Sequence, residues 1–329
     1  MPERARQCYL QVLRMRLLFV MDPVSTVRAD EDTSFALMVA AAERGHRVDH
    51  ALAGDLFVRS GKVGARVRPA TMDASAMPPI GLGDAEDVAL SEMDVVFVRK
   101  DPPFDAPYRW LSLTLELARE ETLIVNDPRG LREANEKLYA LHFPDHIPET
   151  LVAAGKDRIR RFVQEVGGRA VIKPVDGHAG EGVFALTEGD PNFNAVIEAV
   201  THEGRHVAMV QRYLPAVSEG DKRILLVDGE PIGAILRVPQ GGDLRSNIHV
   251  GGRVVPAEVT AADRRIIDAV APRLLRDGLF FVGLDVIGER LTEVNVTSPT
   301  GIQQMSAFAG RSLASDVIDA LQKKTTSRP

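Results

Sequence analysis

Residues 16–21 (RLLFVM) are apolar after the first position and stop at Asp22-Pro23, the pattern of a buried strand. Asp32-Thr33-Ser34 can cap a helix whose apolar positions recur at helical spacing to about Arg44, where Gly45 ends it. Apolar runs at 47–52 and 93–98 predict two more strands, 111–118 a helix and 122–125 a further strand. Strands alternating with helices imply a parallel sheet with helices packed on it. Ligands of such sheets bind beyond the carboxyl ends of the strands, where Asp22-Pro23-Val24-Ser25 and Arg99-Lys100-Asp101-Pro102-Pro103-Phe104 fall. Residues 69–92, broken by Pro, Gly and acidic positions, read as an irregular excursion. Beyond about residue 135 the texture changes to hairpins. Strands are expected at 170–173, 183–186, 207–213, 223–227, 232–238, 279–287 and 291–296, with helices at 193–200 and about 261–275, an antiparallel-sheet domain.

At 329 residues the chain is long enough for about two domains. Its 40 basic and 46 acidic side chains leave a net charge of −6, which argues against a dedicated nucleic-acid or anionic-membrane partner. With 45% apolar and 26% charged residues it has the composition of an ordinary globular protein. The single cysteine, Cys8, cannot close an intramolecular disulfide and fits a reducing, cytoplasmic setting. Arg4 and Arg6 precede an apolar run, but only 17–21 is continuous before Asp22, too short for an export signal or a membrane span. Residues 1–14 read as a mobile extension of a core that begins at Met15.

The strongest local chemistry lies in Asp285-Val-Ile-Gly-Glu-Arg-Leu-Thr-Glu293-Val-Asn295. Glu293 and Asn295 are two apart on a strand and project from one face. A loop of Gly288-Glu289-Arg290 would place Asp285 opposite Glu293, and odd loop length is what lets all three share a face. Two carboxylates and an amide oxygen suit Mg²⁺. The apolar run Phe280-Phe281-Val282 leads into Asp285, and a carboxylate entering a buried sheet needs a partner or a metal. A second constellation is Lys173 at a strand end, followed by Gly177, Gly180 and Gly182, a hairpin loop whose backbone amides can approach phosphate. It is neither a Walker A sequence nor a dinucleotide fingerprint, and glycine-rich hairpins are more often plain turns. Lys137 gains weight only in this company. His202-Glu203-Gly204-Arg205-His206 fits the HExxH pattern of zinc proteases, but Gly204 and the strand that follows put the two histidines around a turn instead of on one helical face.

Lys137, Lys173 with its glycine loop, Gln211-Arg212-Tyr213-Leu214-Pro215, Gly220-Asp221-Lys222-Arg223, Arg237-Val238-Pro239-Gln240-Gly241-Gly242 and the 285–295 hairpin occur in the order shown by the ATP-grasp superfamily. More narrowly, the chain resembles the bacterial glutathione synthetases from about Met15 to about residue 320. Arg99-Lys100-Asp101-Pro102-Pro103-Phe104-Asp105 and Thr292-Glu293-Val294-Asn295-Val296-Thr297-Ser298-Pro299-Thr300 are the stretches most specific to that family.

The resemblance implies an ATP-grasp fold with an N-terminal Rossmann-like parallel-sheet domain (15–135), a small α+β lid domain (136–215) and a C-terminal antiparallel-sheet domain (216–329). It implies ATP-dependent ligation of γ-glutamylcysteine to glycine through a cysteinyl acyl-phosphate. On this pattern Lys137, Lys173, Gly177, Gly180, Gly182, Gln211, Tyr213, Leu214 and Asp221 bind ATP. Arg237, Arg223 and Lys173 assist transfer, and Ser25, Asp101, Arg245, Asn247, Ser298 and Thr300 contact the other substrates. Asp285, Glu293 and Asn295 hold Mg²⁺, with Mn²⁺ as a substitute. A homo-oligomer, commonly a tetramer, is implied, with no nucleic-acid or membrane partner.

An acyl phosphate must be kept from water, and residues 239–253, with Gly241, Gly242, Gly251 and Gly252 around Arg245 and Asn247, supply a candidate lid. The chain departs from the family in its glycine loop, Asp176-Gly177-His178-Ala179-Gly180 where Asp-Gly-Met-Gly-Gly is common, and in Ser246, His249 and Val250. The other readings are a related carboxylate–amine ligase with different substrates, and a nucleotide-binding module without turnover. The second should have lost a metal ligand or a phosphate lysine, and all are present.

Overall fold

The computed structural model describes residues 14–177, 180–239 and 253–327. The predicted extension before residue 14, His178-Ala179 and the candidate lid, with Arg245 and Asn247, lie outside the described residues.

The first sheet is built from β1 (Arg16–Met21), β2 (Arg47–Ala51), β3 (Leu56–Arg59), β4 (Lys62–Met72), β5 (Ile80–Leu82), β6 (Glu86–Ala89), β7 (Val95–Arg99) and β8 (Leu123–Val125). Its main path runs β3-β4-β2-β1-β7-β8, with β5 and β6 also paired to β4. The β2-β1-β7-β8 portion is parallel, whereas β4 pairs antiparallel with all of its neighbours. The irregular excursion expected at 69–92 is therefore corrected: it contains the end of β4 and two short strands. Val63, Ala65 and Val67 alternate inward on β4, and the Pro and Gly positions fall largely at the joints between strands. Helix α1 (Thr33–Glu43) starts where Asp32 accepts a hydrogen bond from the Phe35 amide. Helix α2 (Ala106–Glu116) begins five residues before the expected start at 111. Asp105 caps it by accepting from Tyr108 N at 3.0 Å, and Pro107 sits in the first turn, where a missing N–H costs nothing. Helix α3 (Pro128–Glu133) follows β8.

The antiparallel region is two sheets; strand patterning alone read one antiparallel domain, whereas the family resemblance implied a lid domain and a C-terminal domain. β9 (Thr150–Ala153), β10 (Arg169–Pro174), β11 (Phe184–Thr187) and β12 (Ala208–Arg212) form a four-stranded sheet in the order β11-β10-β12-β9. Helices α4 (Lys156–Glu165) and α5 (Phe193–Val200) pack on it, and Ile159, Val163, Ile172, Ile197 and Val210 belong to a separate apolar core. β13 (Asp221–Val227), β14 (Glu230–Val238), β15 (Arg253–Ala257), β16 (Phe281–Ile287) and β17 (Arg290–Asn295) make the second sheet, ordered β15-β14-β13-β16-β17. Helices α6 (Ala261–Arg276), α7 (Ile302–Ala309) and α8 (Leu313–Thr326) complete the chain.

The first and last sheets share their cores. Phe97 of β7 meets Phe281 of β16 edge-on at 6.0 Å between ring centroids. Buried Asn126, just past β8, donates Nδ2 to the carbonyls of Phe281 (2.9 Å) and Val296 (2.7 Å) and accepts from Phe281 N (2.8 Å). Gly130 is needed at this seam, because a Cβ there would lie 2.2 Å from the Asp277 carbonyl oxygen. Among the described residues no helix is long and apolar enough to cross a membrane.

Candidate active site

β16 and β17 bring Asp285 directly opposite Glu293. The turn between them is Gly288-Glu289, two residues where three were expected, and Gly288 takes the left-handed conformation it requires (φ 62°). A regular hairpin on that turn would pair Asp285 with Thr292 and send Glu293 to the other face. A β-bulge corrects the parity: Val286 pairs with Leu291, the register then slips, and Asp285 meets Glu293. The Thr292 hydroxyl donates back to the Asp285 carbonyl oxygen at 3.1 Å and holds the bulge.

Four cations surround these carboxylates. Arg223, on β13 opposite Asp285, grips its carboxylate through Nε and Nη2, the latter at 2.9 Å. Arg237, on β14 opposite Asp221, bonds Asp221 and also lies 3.0 Å from Asp285. Lys173 Nζ, at the end of β10, is 3.1 Å from Glu293, and Lys137 Nζ is 3.9 Å from it. Lys137 also donates to the Gly177 carbonyl. Solvation was the ordinary expectation for this lysine, yet it is buried. Burial raises the Asp285 pKa, but Arg223 and then Arg237 outweigh it and hold the carboxyl well below the usual range. Glu293 is held down in the same way by Lys173 and Lys137 against burial. Asp221 is pushed up to about 7, burial prevailing over the Arg237 charge.

These groups line one cavity of about 540 Å³ between the three sheets. Gly177, Gly180, Gln211, Tyr213 and Leu214 lie on the lid-sheet side, and Asp101, Ser298 and Thr300 on the other; Asn295 is also in the wall. Gly182 and Ser25 are not among its lining residues. Ser25 is exposed on the turn after β1, and its neighbours Thr26 and Arg28 reach the cavity instead. Sequence reasoning placed the 99–104 segment at the ligand end of the sheet but assigned no role to Arg99 or Glu136, which also line the cavity. Arg99 ends β7 fully enclosed, donating Nε to Ser34 Oγ at 3.0 Å and Nη2 to the Pro299 carbonyl at 3.1 Å. Its signal was a charge directly after the apolar run of 95–98. Glu136 accepts from Thr297 Oγ1 at 2.8 Å and so anchors the segment carrying Ser298 and Thr300; burial raises its pKa. His202 and His206 sit in an exposed turn after α5, with positive φ at His202 and Glu203, so the HExxH spacing marks no zinc helix.

Residues 15–132 match the model of the prokaryotic glutathione synthetase N-terminal domain, and 136–310 that of the prokaryotic glutathione synthetase ATP-grasp domain. The chain belongs to the prokaryotic glutathione synthetase family. It is 48% identical over 317 residues to a glutathione synthetase of Gloeobacter violaceus, covering 94% of this chain and 98% of that one. It is 41% identical over 312 residues to one of Salmonella typhimurium, covering 94% and 99%. Solved structures share the fold at lower identity. D-cycloserine synthetase DcsG superposes with a TM-score of 0.63 at 17% identity, over 94% of this chain and 99% of that one. D-alanyl-alanine synthetase A from Vibrio cholerae gives 0.62 at 13%, over 95% and 99%. An ATP-grasp fold carries ATP binding and use of a divalent metal with it.

Proposed function

We propose that the protein joins γ-glutamylcysteine to glycine at the expense of ATP, releasing glutathione, ADP and phosphate. The observation that carries this reading is the meeting, in one cavity, of Asp285, Glu293 and Asn295 with Lys137, Lys173, Arg223 and Arg237, inside a chain of the glutathione synthetase family. A carboxylate is a poor electrophile. Transfer of the γ-phosphoryl group to the cysteinyl carboxylate makes it reactive, and glycine's amine then displaces phosphate from the acyl phosphate.

The donors of the β16–β17 hairpin fit a hard divalent cation: two carboxylates held ionised and an amide oxygen, brought together by paired strands. Asp285, Glu293 and Asn295 would hold Mg²⁺, or Mn²⁺ in its place, and the ion would neutralise charge on the phosphate oxygens. Lys137 and Lys173 hold the phosphates as point charges from two sides of Glu293. Arg223 and Arg237, fixed by Asp285 and Asp221, stabilise negative charge on the transferring phosphoryl group and on the tetrahedral intermediate. Gly177, Gly180 and Gly182 allow backbone approach to phosphate, and Gln211, Tyr213 and Leu214 run along adenine. Asp101, Ser298 and Thr300, with Arg245 and Asn247, serve the dipeptide and glycine, and Thr26 and Arg28 take the place at the cavity expected of Ser25. The small domain at 136–215 works as a lid between the domains at 15–135 and 216–329, in a cytoplasmic homo-oligomer.

The deciding experiment measures ADP release with Mg-ATP and γ-glutamylcysteine, with and without glycine, and detects the product by mass. Glycine-dependent ADP release matched by glutathione is expected. Nucleotide binding without turnover of any dipeptide and amine pair would overturn the assignment in favour of a binding module.

A further inference from the structure

The cavity has a second pole, away from the β16–β17 hairpin and its arginines. Among the described residues, three of the side chains lining it there carry a buried polar atom without a hydrogen-bond partner. They are Thr33 Oγ1 at the start of α1, Arg99 Nη1 at the end of β7 and Gln304 Oε1 on α7. Arg99 is 2% exposed, and among the described residues no carboxylate stands within ion-pair distance of it. Its other two nitrogens donate to neutral acceptors, Ser34 Oγ and the Pro299 carbonyl. A buried guanidinium without a paired carboxylate is costly, and a bound carboxylate relieves it. Asp32 and Asp101 also line this pole. They stand close to Arg99: burial raises the Asp32 pKa, the Arg99 charge lowers it and the Asp101 charge raises it. A cation with a free donor, a free amide oxygen and carboxylates at one end of a cleft match a zwitterion.

The order of groups along β16 sets the distance between the poles. Phe281, Gly283 and Asp285 alternate onto one face of the strand. The Arg99 guanidinium lies 5.6 Å from the Phe281 ring centroid. A Cβ at Gly283 would meet Pro299 and Arg223, each at 3.1 Å, and Arg223 in turn grips Asp285. From Phe281 to Asp285 an extended strand runs about 13 Å. We propose that Arg99, with Thr33, Gln304 and Asp101, forms a subsite for a free α-amino-acid group and so selects the γ-glutamyl end of the dipeptide, an inference that rests on the ligase reading above. The reacting cysteinyl carboxylate and the glutamyl α-carboxylate stand at opposite ends of that molecule, so one reaches the β16–β17 hairpin while the other reaches Arg99. Glycine does not make this contact, because its carboxylate is one carbon from the attacking amine and stays at the hairpin end. The α-carboxylate accepts from Arg99 Nη1 and the Thr33 hydroxyl, and the α-ammonium donates to Gln304 Oε1 and the Asp101 carboxylate.

Two analogues of γ-glutamylcysteine separate the contacts: 4-aminobutyryl-cysteine lacks the α-carboxylate, and glutaryl-cysteine lacks the α-amino group. With the parent protein, kcat/KM for glycine-dependent ADP release should fall at least about 100-fold for each, because a site built to bond a polar group rejects the molecule that lacks it. In Arg99→Met, γ-glutamylcysteine should lose at least about 100-fold while 4-aminobutyryl-cysteine changes little, bringing the two within about threefold. KM for ATP should hold steady, and Arg99→Lys should recover part of the preference. Gln304→Leu should narrow only the gap to glutaryl-cysteine. A structural role for Arg99 would slow both dipeptides equally, and that result would overturn the proposal. So would a parent protein that uses 4-aminobutyryl-cysteine within about threefold of γ-glutamylcysteine. Should Arg99→Met fail to fold, Thr33→Val and Gln304→Leu decide by the same ratios, and an unchanged preference in both counts against the subsite. A parent protein that makes no glutathione from γ-glutamylcysteine and glycine overturns the ligase reading and the subsite with it, whereas turnover without discrimination among the dipeptides overturns the subsite alone.

Discussion

Glu293 stands between the ammonium groups of Lys173 and Lys137, whose attraction outweighs burial and keeps it ionised. Glu293→Gln keeps the shape but removes the charge. ADP formation with γ-glutamylcysteine and glycine is expected to fall at least about 100-fold, the upper range for loss of a partner around a metal ligand. A variant within tenfold of the parent in a coupled assay would remove Glu293 from the metal-binding set. Arg237 differs in kind: Asp221 and Asp285 fix its Nη2, while its buried Nε has no hydrogen-bond partner among the described residues. A donor held this way is available to charge that develops during transfer. Arg237→Met is expected to lower kcat by about 10²–10³, the cost of deleting one such donor, with a smaller change in KM for ATP. Steady-state kinetics with each substrate varied checks the split, and an effect confined to KM would make Arg237 a ground-state binding residue. Both residues were legible because their types are rare in buried strands. Glu136 and Arg99 were not, because their roles come from Thr297, Ser34 and Pro299, partners distant in sequence that local patterning cannot supply.

At the level of elements, the β16–β17 hairpin was readable in outline, but its parity was not. Sequence patterning called for an odd loop, and the fold reaches the same pairing with a two-residue turn and a bulge before Glu293. Bulges arise from competition between turn geometry and side-chain burial on both strands, which a single strand's pattern does not encode. The start of β2 carries a separate consequence. His46 accepts a hydrogen bond at Nδ1 from the Met15 amide (3.3 Å), a role open only to the neutral ring. Burial, then the Arg44 charge, holds its pKa below the ordinary value, and burial likewise lowers His50. The unfolded chain therefore takes up protons that the folded one refuses as pH falls below about 6.5. Their contribution to stability is complete above that value and is lost as the solution becomes more acid. Urea titrations at pH 7, 6 and 5 should show falling stability, with a shallower decline in His46→Gln. An unchanged slope would mean that folding leaves the proton affinity of His46 as it is in the open chain.

Across the whole molecule, Asn126 joins the first sheet to the last with three buried hydrogen bonds. Asn126→Ala would strand the Phe281 amide and two carbonyls in an apolar seam. A loss of about 2–4 kcal/mol in unfolding free energy is expected from unsatisfied buried groups. Chemical denaturation measures it, and a loss under about 1 kcal/mol would mean that aromatic packing such as Phe97 on Phe281 holds the seam without this clasp. The sequence by itself determined the α/β alternation of the first domain, the strands that carry the metal-type donors and the order of the motifs, because apolar periodicity and rare charges in buried strands are local properties. Only the tertiary structure decided that β4, β5 and β6 extend the first sheet and that Arg99 and Glu136 are enclosed in the cavity wall by partners far along the chain. Those outcomes depend on pairing and burial between segments up to 200 residues apart, as in the bond from Arg99 to Pro299, and no stretch of chain carries that information until its partner is in place.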